Sequence, residues 1–274
     1  MLANRHLIFI VFLLFCTLSC STKQSVIHEA QQNGFIQNRY STPTFLLTTY
    51  ERVTASHPIC HVYIEGDGNS WKTKHQLSNN PTPKQPLALQ LACHDQHPQV
   101  IYIARPCQYT PLALDSSCDP KYWSSHRYAK EVVQAFHATL DQISAKHGTD
   151  FLLIGFSGGA SIAALIASDR KDIVGLITVA GDLNHIALNR YHHTTPLTGS
   201  LNPMDVASKL KNLPQKHWSG GKDKTVPIFI ASQFSKAVNN PSCCHIEILP
   251  EAEHHAGWVK KWSEMIQQPL ECVG

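Results

Sequence analysis

The chain lacks a long apolar run, a block of like charges, an internal repeat and any low-complexity stretch. Its apolar run Leu7–Phe15 falls well short of the ~18 residues that suggest a spanning helix. Charge is scarce: 16% of residues are charged and the formal net charge is +3, to which Arg5 contributes one unit. With no basic stripe, nothing points to nucleic acid or to an acidic surface as a partner. Metal-ligand spacing is also missing. The chain has nine cysteines and 17 histidines, but beyond Cys20 the one near pair of cysteines, Cys243 and Cys244, is adjacent and points badly for one metal ion. No phosphate-binding loop is seen.

What is present begins with Arg5, the apolar run and then Leu18-Ser19-Cys20. This reads as a secretory signal over residues 1–19. The small residue before Cys20 resembles a bacterial lipobox, although the leucine stands one position later than that motif expects. The resemblance implies cleavage before Cys20, a lipid on that cysteine and anchorage to a membrane of the bacterial envelope; the alternative is an ordinary signal peptide and a soluble periplasmic or secreted protein. Residues 20–34 are polar and read as a tether. Residues 35–274 are enough for one large α/β domain. Seven cysteines follow Cys20, an odd number that cannot all pair internally. Cys107 and Cys118 bracket a loop of suitable size for a disulfide in an exported protein.

Apolar runs at 44–50, 59–64, 100–104, 151–154, 173–179, 216–219 and 245–249 read as strands. Helical periodicity lies at 87–92, 129–147, 160–167, 226–238 and 257–267. Alternation of the two predicts a mostly parallel central sheet with helices on both faces. Ligands in such sheets bind at the carboxyl ends of the strands. Two long irregular stretches, 71–86 and 107–125, are candidates for pocket walls, and 185–203 for a lid or cap.

At one strand end stands Gly155-Phe156-Ser157-Gly158-Gly159, between the apolar run Phe151–Ile154 and the Ala-rich segment 160–167. A strand that turns at once into a helix crowds its own backbone, and the glycines relieve the clash. Ser157 would then stand exposed beside the unpaired N–H groups of a first helical turn. A serine hydroxyl needs a base, and the base an orienting carboxylate. Asp223, in Gly-Gly-Lys-Asp-Lys-Thr-Val-Pro, and His254, in Pro-Glu-Ala-Glu-His-His-Ala-Gly-Trp, follow the last two predicted strands. His255 competes with His254 as base, and Asp182 with Asp223 as acid. Trp218 and Trp258 read as packing residues.

These three runs, in the order Ser, Asp, His, resemble the α/β-hydrolase fold family. The stretches Tyr63-Ile-Glu-Gly-Asp-Gly68, Arg105-Pro-Cys-Gln-Tyr109 and Leu197-Thr-Gly-Ser-Leu-Asn-Pro203 resemble a little-characterised bacterial lipoprotein branch of it. The resemblance implies Ser157 as nucleophile, His254 as base and Asp223 as acid, with the backbone N–H groups of Gly158 and Asp67 as oxyanion donors. Glu65-Gly66 stands where the family commonly has His-Gly. It further implies hydrolysis of an ester through an acyl-enzyme, carboxylesterase-like, with an acyl or small-molecule substrate and no metal, nucleotide or flavin. Peptide, amide and thioester bonds are alternatives, as is an envelope lipoprotein that keeps the fold for binding.

Overall fold

A computed structural model describes residues 22–73 and 75–273. The expected signal peptide and Cys20 lie outside the described residues. The strands are β1 (Ile36–Ser41), β2 (Leu46–Val53), β3 (Ile59–Ile64), β4 (Trp71–Thr73), β5 (Gln76–Leu77), β6 (Gln99–Ile103), β7 (Asp150–Phe156), β8 (Ile173–Val179), β9 (Gln215–Gly220) and β10 (Cys244–Leu249). The helices are α1 (Thr22–Gln32), α2 (Leu87–Cys93), α3 (Lys130–His147), α4 (Gly158–Ala167), α5 (His185–Tyr191), α6 (Phe229–Val238) and α7 (Val259–Met265). No described helix is long and apolar enough to cross a membrane.

Eight strands form one sheet in the order β1-β2-β6-β3-β7-β8-β9-β10, and β4 pairs with β5 in a separate small hairpin. β2 runs antiparallel to both neighbours, and the pairs from β6 to β10 are parallel. Alternation within each strand explains the two layers. On β7, Phe151 and Leu153 join a core with α3, α4 and α6, whereas Leu152, Ile154 and Phe156 join one with α1, α2 and α7. A strand covered on both faces must be apolar at every position, which is why β7 reads as a continuous run. The chain leaves β3 through α2 to β6 on one side, then crosses by α3 to β7 on the other. Strand order therefore reverses at β3, and a crevice opens beyond the carboxyl ends of β3 and β7.

The segment read as a tether is largely helix α1, which buries Val26 and Ala30 against α2. Two small apolar residues four apart in a polar stretch give too weak a periodicity to be seen in the sequence. The segment 185–203, read as a lid, contains α5 and contributes nothing to the lining of the cleft at Ser157. Cys107 pairs with Cys118, and Cys243 with Cys272. Cys60, Cys93 and Cys244 are buried and reduced. Burial pushes all three thiols up, Cys93 to about 12, so none is a poised nucleophile.

Candidate active site

β7 ends at Phe156 and α4 begins at Gly158, leaving Ser157 alone to make the turn with φ 51° and ψ −120°. Such a backbone is costly for a residue with a side chain. Three hydrogen bonds hold it: the Ser157 N–H donates to Val179 O at 3.0 Å, and the Ser157 carbonyl accepts from Ala160 N at 3.1 Å and Asp182 N at 3.0 Å. A Cβ on Gly155 would stand 2.5 Å from Ala160 Cα, and one on Gly159 2.2 Å from Ile64 O. Both glycines are therefore required by the closeness of strand and helix.

From this corner a single chain of hydrogen bonds runs to the two residues expected from later strands. Ser157 Oγ lies 3.0 Å from His254 Nε2, and His254 Nδ1 lies 2.9 Å from Asp223 Oδ2. Asp223 Oδ1 accepts from the N–H groups of Thr225 at 2.7 Å and Val226 at 2.9 Å, which fixes the carboxylate plane. That network assigns the proton on imidazole to Nδ1 and leaves Nε2 to accept from the serine. The histidine loop is anchored by the buried Trp258, whose indole N–H donates to Glu253 O at 2.7 Å and His254 O at 3.2 Å. His255 packs edge-on against His254 with centroids 4.8 Å apart, and burial, then His254, pushes it down to about 4. Asp182 does not meet the imidazole; its Oδ2 accepts from Tyr128 OH at 3.2 Å.

The turn after β3 lies against the serine: a Cβ on Gly66 would be 3.3 Å from Ser157 Cβ, and one on Gly158 would be 2.1 Å from Asp67 Oδ1. Among the described residues, neither the Gly158 nor the Asp67 N–H has a protein acceptor. Gln108 Nε2 donates to Gly66 O at 3.1 Å. Since that peptide is trans, gripping the carbonyl aims the Asp67 N–H the opposite way. Glu65, fully buried beneath the turn, accepts from Gly66 N at 3.0 Å and Tyr102 OH at 3.1 Å, and the nearby backbone of α2 at Ala88 and Leu89 also favours its ionised form. Burial pushes its carboxyl up to about 7 against those donors.

Behind the turn lies a charged cluster that sequence reasoning did not find, because its members lie far apart in the chain. Asp67 meets Arg105 at 3.2 Å and Arg127 at 2.5 Å, and Tyr128 OH bridges it to Asp182. Burial pushes the Asp67 carboxyl up, but Arg127 and then Arg105 together outweigh it and hold it below the usual range. Asp182 is driven the other way, up to about 7, by burial and then by Asp67, and its Oδ1 has no partner among the described residues. An acid whose folded pKa is raised destabilises the fold increasingly as pH climbs from the ordinary carboxylate range through the raised value. Asp182→Asn is therefore expected to change Tm little at pH 4 and to raise it relative to wild type by pH 8. Parallel melting curves across that range check this, and a difference that does not grow with pH contradicts it.

Two adjoining recesses of about 640 and 680 Å³ share Gln85, Thr225, His254 and His255, and the second of them is lined by Ser157. One is walled by Trp71, Pro83 and Lys84 from the long 71–86 stretch, with Arg127, Phe156 and the 65–70 turn. The other lies on the histidine side, between Lys222, Lys224, Glu253 and α1 at Val26. Among the described residues no group of three or more His, Cys, Asp or Glu is placed to hold a metal ion.

No family model and no curated protein matches this chain. Solved structures do. An acylaminoacyl peptidase of Pyrococcus horikoshii superposes with a TM-score of 0.60 at 10% identity over 88% of this chain and 42% of its own, so the chain spans under half that protein's length. An esterase of Pyrococcus furiosus matches with a TM-score of 0.56 at 12% identity, over 86% of this chain and 92% of that one. An alpha-beta serine hydrolase homologue from Coxiella burnetii matches with a TM-score of 0.52 at 18% identity, over 84% and 93%. With a sheet that is parallel from β6 to β10, helices on both faces and these neighbours, the chain has the α/β-hydrolase fold.

Proposed function

We propose that this protein is a serine hydrolase that cleaves an ester by acyl transfer. The observation that carries the reading is the unbroken chain Asp223–His254–Ser157, with both links at hydrogen-bond distance and the serine on a strained turn facing a cleft. Ser157 Oγ attacks the carbonyl carbon while His254 Nε2 takes the hydroxyl proton, and Asp223 stabilises the resulting imidazolium. The carbonyl oxygen, now negative, accepts from the Gly158 and Asp67 N–H groups. Collapse breaks the bond to the leaving oxygen, which takes the proton from His254. Water then repeats the sequence on the acyl-enzyme, giving its proton to His254 and releasing the acid and free Ser157. Preference for an ester over an amide follows the esterase among the structural neighbours. Export, and a lipid on Cys20, belong to the same proposal and rest on the N-terminal sequence alone.

An activated serine reacts with a fluorophosphonate, and peptide mass mapping should find the label on Ser157 alone. A folded protein that takes no label, or takes it elsewhere, overturns the reading. For the N-terminus, Cys20→Ala should block lipid-dependent processing, and unchanged processing would favour simple secretion.

A further inference from the structure

We infer that the preferred substrates carry a fixed negative charge, such as a carboxylate, on the acyl portion of the ester, and that Arg127 together with Lys84 receives it. The inference rests on the serine-hydrolase reading and adds the substrate class.

Arg127 is held by two other groups. Its Nε donates to Ser124 O at 2.9 Å and its Nη1 to Asp67 Oδ2 at 2.5 Å. Two directed bonds fix the plane of the guanidinium. Its Nη2 has no protein acceptor among the described residues and is not among the buried unpartnered atoms, and Arg127 lines the recess that holds Ser157 as well as a small cavity beside Arg105 and Trp123. Nε and Nη1 belong to different edges of the guanidinium, each shared with Nη2, so the N–H groups of Nη2 are what is left to donate to one more anionic oxygen.

Charge balance points the same way. Asp67 is opposed by two guanidinium groups, Arg105 and Arg127, so the trio retains one positive charge, which Asp182, joined to it through Tyr128 and pushed up to about 7, offsets only as it ionises. The Arg105 side chain is 5% exposed and that of Arg127 18%, so the surplus is presented to the cleft by Arg127. Lys84 lines the same recess. The two carboxylates there are already engaged, Asp67 by the arginines and Glu65 by backbone and tyrosine donors beneath the turn. A recess lined by one uncompensated sign of charge concentrates the opposite sign.

The acyl portion is assigned by the direction of proton transfer. The leaving oxygen must lie within reach of His254 Nε2 to be protonated, and the recess with Lys222, Lys224 and Glu253 continues on that side. Arg127 instead holds the Asp67 carboxylate, which lies against Gly158 on the oxyanion side of the serine. An anion bound there extends from the carbonyl carbon away from the leaving group.

The test compares 4-nitrophenyl hemiglutarate with 4-nitrophenyl 5-methylhexanoate, which has the same leaving group and replaces the terminal carboxylate by a neutral branch of like shape. After subtraction of the uncatalysed rate, kcat/KM should favour the anionic ester by about tenfold or more, as one charge-assisted hydrogen bond provides. The preference should shrink with added salt. Arg127→Met should abolish it, Arg127→Lys should keep part of it, and Lys84→Gln should reduce it. If Ser157 takes the fluorophosphonate label but the hemiglutarate is no better a substrate than its neutral partner, the substrate class is wrong and the hydrolase reading stands. If Ser157 is also unlabelled in the folded protein, both fall.

Discussion

Asp223→Asn is expected to lower kcat by about four orders of magnitude without unfolding the protein. The reason lies in the other oxygen of the carboxylate. Asp223 Oδ1 accepts two backbone N–H groups, from Thr225 and Val226, and only an oxygen can do so. An asparagine there must keep its carbonyl on that side and turn its NH₂ toward His254 Nδ1. That NH₂ donates where the carboxylate accepted, so the imidazole must carry its proton on Nε2. In that tautomer Nε2 cannot take the proton of Ser157, 3.0 Å away. The change should appear in turnover of a 4-nitrophenyl ester and in the rate of fluorophosphonate labelling, with circular dichroism unchanged. Activity within tenfold of wild type would show that His254 is not oriented by Asp223.

The second large effect is on the fold. Gly159→Ala is expected to cost ~3 kcal/mol or more, because the new methyl has no rotamer by which to escape and the surrounding atoms are backbone. A Cβ there would stand 2.2 Å from Ile64 O and 2.6 Å from Glu65 O, so α4 would have to back away from β3. Gly148→Ala is the control. It meets nothing within 4 Å, although its φ of 62° leaves the left-handed cost of roughly 1 kcal/mol. Urea midpoints of the two variants and the wild type separate crowding from backbone preference. If Gly159→Ala is no worse than Gly148→Ala, the close approach of helix and sheet is not a structural requirement.

Much of this architecture was readable from residues alone, and the reason differs from element to element. β3 and β8 have the bounds that their apolar runs suggest, since each begins and ends on an apolar residue. α3 announced itself through Val132, Val133, Phe136, Leu140 and Ile143, all buried, and through Gly148 at its left-handed cap. The three residues of the hydrogen-bonded chain were legible because each sits near glycine in the loop that follows a strand. β1 was not: Ile-Gln-Asn-Arg-Tyr-Ser is a largely exposed edge strand whose partner, β2, supplies its order through the backbone. Nor were the contacts of Asp67 with Arg105 and Arg127 legible, since no local pattern says which distant charges a fold will bring together. Gln108 lay within a run already singled out, but its grip on Gly66 O depends on how two loops meet. The Cys243–Cys272 pair was hidden by the adjacency of Cys243 and Cys244.

Helix α1 sets the length of the leash. It begins at Thr22, two positions after Cys20, and two peptide units reach at most about 7 Å. Val26, which lines the recess beside His254, lies about 6 Å further along the helix axis. If Cys20 carries the proposed lipid, the body of the protein has almost no slack with which to drift or turn. The mouth of the cleft would then hover close above the bilayer, sampling molecules that travel along that surface before those that arrive from bulk solution.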